Sequence, residues 1–138
     1  MNISVRYYTR SGNTRKLAEA IAAAVGAEAA DLQSDLTEKA DLLFLGSSLY
    51  AGSFDPAVAE FLTRNGKNIG KLVCFGSSAS GRSTFEKVRK FASEQGISLA
   101  EAHFDCPGHF LLLHKDRPND RDLAEAAAFA EKVCREEA

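Results

Sequence analysis

No stretch of the 138 residues approaches the roughly 18 consecutive apolar positions of a membrane span, and the first residues, MNISVRYYTRSGNT, have neither the long apolar core nor the small-residue cleavage site of a secretion signal. Cysteine is scarce. Cys74, Cys106 and Cys134 are odd in number, widely spaced and form no C-x-x-C pair, which argues against both a disulfide framework and a zinc ribbon. Neither sign of charge dominates: 17 basic residues face 19 acidic ones for a net charge of −2, a poor basis for nucleic-acid binding. No Gly-Lys-Ser or Gly-Lys-Thr occurs and Gly12 lacks the companion glycines of a nicotinamide fingerprint, so a nucleoside triphosphate loop and a nicotinamide site are both disfavoured. Linkers, repeats and low-complexity tracts are missing as well. What remains predicts a single cytoplasmic domain over residues 1–138 with no membrane span, 45% hydrophobic and large enough to fold without disulfides or metal.

What is present is an alternation of strands and helices. Ile3 to Tyr8, Asp41 to Ser47 and Lys71 to Ser77 are short apolar runs of the kind buried on both faces of a parallel sheet, and weaker strands fit Glu28 to Gln33 and Leu99 to Cys106. Helical periodicity marks Asn13 to Val25, Pro56 to Arg64 behind an Asp55 N-cap, Ser83 to Gln95 ending at Gly96, and Asp120 to Arg135. Ser34 to Lys39 is either a short helix or a turn. This order predicts an α/β fold with a doubly wound five-stranded parallel sheet and helices on both faces.

Ligands of such sheets bind beyond the carboxyl ends of the strands. There the chain carries T-R-S-G-N-T, Thr9 to Thr14, between the first strand and the first helix. Hydroxyls, a turn glycine and a helix N-terminus together make an anion site suited to phosphate. The same residues also suit an ordinary helix start with Asn13 or Ser11 as N-cap.

Directly after an apolar first strand, this hexapeptide resembles the phosphate loop of the flavodoxins, which bind flavin mononucleotide (FMN). Leu45-Gly46-Ser47-Ser48 through Gly52 resembles that family's second flavin loop, and Phe75-Gly76-Ser77 through Gly81 its third, so the resemblance covers the whole chain and points to the short-chain branch. It implies the strand order 2-1-3-4-5. It also implies that Thr9, Arg10, Ser11, Gly12, Asn13 and Thr14 hold the FMN phosphate, with Ser48, Leu49, Tyr50, Ala51 and Gly52 on one side of the isoalloxazine and Ser77, Ser78, Ala79, Ser80 and Gly81 on the other. Tyr50 is the ring to stack on the flavin, or else an aromatic covering the sheet edge; Gly52 is a peptide free to turn toward flavin N5, or else a plain turn glycine. The function implied is electron transfer between redox-partner proteins, a reductase and an acceptor, with no catalytic acid or nucleophile. The alternative is a small FMN-dependent oxidoreductase, because Ser48 to Phe54 followed by Pro56 to Leu62 is also similar to flavodoxin-like protoporphyrinogen oxidases and quinone reductases.

Several residues depart from the family pattern. The third loop lacks an aromatic ring and a carboxylate, leaving Phe110 or Phe54 to cover the flavin unless Phe110 is ordinary core. Arg10 and Arg82 place positive charge where flavodoxins carry acids, which predicts a less negative potential for the second electron. Arg6, on a central strand, requires a carboxylate such as Asp31 or Asp41, or a route to the rim. His103, Cys106, His109 and His114 have zinc-binding atoms, but a strand would point His103 and Cys106 to opposite faces, so no metal site is expected.

Overall fold

The computed structural model describes residues 1–9, 12–50, 53–78, 84–107 and 117–137, with 48–50, 53, 54, 78 and 107 described through their backbone alone. Chain order is β1 (Ile3–Tyr7), α1 (Asn13–Val25), β2 (Ala29–Asp31), β3 (Leu42–Tyr50), β4 (Ser53–Phe54), α2 (Pro56–Asn65), β5 (Leu72–Ser78), α3 (Phe85–Glu94), β6 (Leu99–Pro107) and α4 (Asp120–Glu137). Five strands are parallel in the order β2-β1-β3-β5-β6, and β4 is a two-residue antiparallel addition to β3. Setting β4 aside, this is the order 2-1-3-4-5.

The continuous apolar runs become strands because side chains alternate between two filled faces. Leu43 and Leu45 of β3 and Cys74 of β5 pack with Val58, Phe61, Leu62 and Val88 beneath α2 and α3. Leu42 and Phe44 of the same strand, with Val5, Val73 and Phe75, pack on Leu17, Ile21, Ala126 and Ala130 of α1 and α4. Each fully buried Leu or Phe contributes about 1.5–3 kcal/mol relative to exposure, so both layers share in holding the sheet. Asp55 caps α2 as the sequence indicated, its carboxylate accepting from the Ala57 amide at 3.0 Å.

Ser34 to Lys39 is a turn rather than a helix. Buried Asn65, at the end of α2, pins it: its side-chain oxygen accepts from the Leu36 amide (2.9 Å) and its nitrogen donates to Asp35 (3.0 Å). Arg6 takes the route to the rim. Its Nε donates to the Ser34 carbonyl (2.8 Å) and Nη1 to the Val5 carbonyl (3.1 Å). The charge beside it is Asp35; burial lowers its pKa and Asp35 raises it. Asp31 and Asp41 are engaged with the Gln33 and Asn2 amides instead. Among the described residues, no helix is long and apolar enough to cross a membrane.

Candidate functional site

The carboxyl ends of β1, β3 and β5 lie side by side, with Tyr7 opposite Gly46 and Ser48 opposite Ser77. The three loops singled out from the sequence leave from this edge. In the first, Thr9 Oγ1 accepts from the Gly12 amide at 3.0 Å, folding the chain back on itself before α1. Gly12, not Asn13, is the N-cap: its left-handed φ of 89° starts the helix one residue before Asn13, which therefore lies within the first turn, buried. Arg10 and Ser11 lie outside the described residues.

Gly12 has no side chain to cap the helix, and among the described residues, its chain neighbours aside, nothing lies within 4 Å of where its Cβ would be. The first turn of α1 holds no acidic residue but Asn13, Thr14 and Arg15. A helix end of this kind directs amides and partial positive charge toward the turn, which suits a phosphate dianion. The donor set therefore fits the phosphate of FMN.

Two buried hydroxyl pairs tie the loops together. Thr14 Oγ1 and Ser77 Oγ are 3.0 Å apart, joining α1 to the end of β5 across 63 positions of sequence. Ser47 Oγ and Thr84 Oγ1 are 3.1 Å apart, joining β3 to the residue preceding α3. Thr84 is the residue that motif reading missed, and Gly46, Ser47 and Gly76, though part of the loop motifs, were given no role by it. Their signal was available, since a glycine inside an otherwise apolar strand marks close backbone approach. A Cβ on Gly46 would meet the Phe75 ring and the Thr14 methyl, and one on Gly76 would meet the Ser47 carbonyl.

The second loop is not an open coil throughout. β3 runs three residues past its predicted end, and Leu49 and Tyr50 pair with Phe54 and Ser53. Ala51 and Gly52 lie outside the described residues, and Ser48, Leu49, Tyr50, Ser78 and Phe54 are described by backbone position alone, all on the ligand edge. Ala79, Ser80, Gly81, Arg82, His109, Phe110 and His114 also lie outside.

Downstream of the third loop, Phe85 stacks on His103 with ring centroids 4.0 Å apart, and His103 Nδ1 lies 2.5 Å from an Asp105 oxygen. Cys106 packs in the opposite layer with α4, so His103 and Cys106 do face apart. Burial raises the Cys74 thiol to about 12 and the Cys106 thiol to about 11, keeping both protonated at neutral pH. Behind the edge, Arg117 grips Asp122 of α4 through both Nε and Nη2, and Asp122 also accepts from the Asn119 amide.

The flavodoxin-domain family model matches residues 4–108, and the chain belongs to the flavodoxin family. An uncharacterized protein of Methanocaldococcus jannaschii is 27% identical over 137 residues, spanning 89% of this chain and 91% of that protein. Among solved structures, a flavodoxin from the domain Archaea superposes with a TM-score of 0.81 at 17% identity, over 99% of each chain. Oxidised flavodoxin 1 from Bacillus cereus gives a TM-score of 0.74 at 19% identity, over 98% of each. At such identities these two structures speak for the fold.

Proposed function

We propose that the chain is a cytoplasmic electron carrier that binds FMN at the carboxyl edge of β1, β3 and β5. One observation carries the reading: the turn closed by Thr9 Oγ1 on the Gly12 amide opens onto the N-terminus of α1, beside the point where the sheet reverses its winding. Thr9 and Gly12 to Thr14, with Arg10 and Ser11, hold the phosphate. Ser48 to Gly52 and Ser77 to Gly81 flank the ring from the two neighbouring strand ends.

When bound, FMN supplies the one- and two-electron chemistry. The chain's part is to anchor and tune. The Thr14–Ser77 and Ser47–Thr84 pairs hold the phosphate turn, β3 and the start of α3 at fixed separation, so that little reorganisation accompanies each electron. Arg10 and Arg82 favour negative charge nearby, which makes the potential of the second electron less negative than carboxylates would. Redox partners approach the exposed edge.

The test is to reconstitute the apoprotein with FMN and assay it with and without an added flavodoxin reductase and acceptor. A carrier passes electrons only with both present. Turnover of a quinone or porphyrinogen by the reduced holoprotein alone contradicts the carrier reading and favours an enzyme.

A further inference from the structure

Thr84, the residue before α3, has a side chain of the kind that usually caps a helix, yet it makes no capping bond. Its hydroxyl is turned instead to Ser47 of β3. The register of the sheet explains how it reaches that far. Ser47, Gly76 and Asp105 lie side by side on β3, β5 and β6, and Leu45, Cys74 and His103 form the next row on the same face, two residues back along each strand. Gly76 leaves the middle of the first row without a side chain, and a Cβ there would lie 3.8 Å from Thr84 Oγ1. The start of α3 thus settles into a notch with β3 on one side and β6 on the other.

The β6 wall of this notch is aromatic. Phe85, the first residue of α3, is buried, packs in the same layer as Leu45 and Cys74, and lies flat on the His103 ring, with 4.0 Å between centroids and 12° between planes. Asp105, one row on, lies 2.5 Å from His103 Nδ1 and sets the plane of that ring. The His103 side chain is 34% exposed and that of Asp105 26%, so their contribution is to the placement of Phe85 more than to the core.

Thr84 and Ser77 bound the third loop, and Ser77 is held in turn by Thr14. We propose that His103 is a positioning residue for the flavin: oriented by Asp105, its ring fixes Phe85 and with it Thr84, the downstream end of the loop that flanks the isoalloxazine. The three loop motifs do not include it. The inference rests on the flavin reading above and adds to it a support on β6 that acts on the ring side of the cofactor and not on its phosphate.

The experiment titrates the full-length apoprotein with FMN by fluorescence and measures the inhibition constant of inorganic phosphate against FMN. It compares wild type, His103→Ala, His103→Phe, Asp105→Ala and the double variant His103→Phe with Asp105→Ala. His103→Ala is expected to weaken FMN roughly three- to tenfold, the worth of one aromatic pair, with the phosphate constant changed by less than about twofold. His103→Phe restores FMN to within about twofold of wild type, because a phenyl ring stacks on Phe85 without a carboxylate to orient it. Asp105→Ala weakens FMN about twofold on its own and has no effect beside His103→Phe. Wild-type FMN affinity in His103→Ala, phosphate weakened in step with FMN, His103→Phe no better than His103→Ala, or an Asp105 effect that persists beside His103→Phe each overturns the inference and leaves the flavin reading standing. Should His103→Ala fail to fold, the Asp105 comparison decides alone. A folded wild type that binds no FMN overturns both.

Discussion

Replacing Thr14 with valine isolates one oxygen atom at the centre of the site. Thr14 is fully buried, and its methyl lies in the slot left by the missing side chain of Gly46, 2.7 Å from where that Cβ would be. Valine keeps this branch in place, so the substitution removes the hydroxyl without opening a cavity. What is lost includes the 3.0 Å bond to Ser77, itself 5% exposed. A neutral hydrogen bond nets about 1 kcal/mol, and poorer satisfaction of the remaining hydroxyl brings the cost to about 1–2 kcal/mol. For a domain of this length that corresponds to a fall in melting temperature of roughly 4–8 °C. Urea unfolding of the apoproteins of wild type, Thr14→Val, Ser77→Ala and the double variant completes a cycle. A coupling of about 1 kcal/mol is expected, because the double variant loses the shared bond only once. Strict additivity, or a Thr14→Val protein that melts like wild type, refutes the idea that this pair braces the phosphate turn against β5.

Three further outcomes follow from the same geometry. Gly76→Ala should destabilise more than Gly46→Ala in urea unfolding. The obstacle at Gly76 is the Ser47 backbone, whereas at Gly46 it is side chains that can shift at a cost of about 1–3 kcal/mol, and a milder Gly76 variant contradicts this. Asp122 has its pKa lowered first by the Arg117 hydrogen bond, with the Asn119 amide and nearby charge assisting. Its contribution is therefore complete above the ordinary aspartate value of about 3.9 and is lost as pH falls through the depressed native value. The melting temperature of Asp122→Asn should thus lie below wild type at neutral pH and converge with it in strong acid; a gap constant with pH contradicts the assignment. Thiol labelling of the native protein followed by mass spectrometry should modify half-buried Cys134 well before Cys74 and Cys106, and early labelling of Cys74 would count against its burial.

The architecture was legible because local and global signals agree. Each doubly buried strand reads as an apolar run, and Asp55-Pro56 marks the start of α2 by cap and by proline φ. T-R-S-G-N-T pointed to the candidate site in sequence, but nothing pointed to its bracing. Ser47 and Thr84 are ordinary hydroxyls in sequence, and only the register of β3 beside β5 brings them within 3.1 Å of one another. Gly12 as the cap also escaped motif reasoning, which weighs side-chain acceptors and not a left-handed backbone. The extension of β3 to Tyr50 depends on pairing with Ser53 and Phe54, a contact between polar or isolated residues that apolar periodicity does not register. Arg6 was predicted to need help and found it in carbonyls, because the adjacent turn presents Ser34 and Asp35 at the rim.

The most direct measurement is a titration of the purified apoprotein with FMN, followed by flavin fluorescence and by the absorption spectrum of the complex. Binding of one FMN per chain, weakened by inorganic phosphate competing for the turn at Thr9 and Gly12, is the result predicted here. A folded apoprotein that leaves FMN fluorescence unchanged at every ratio contradicts it.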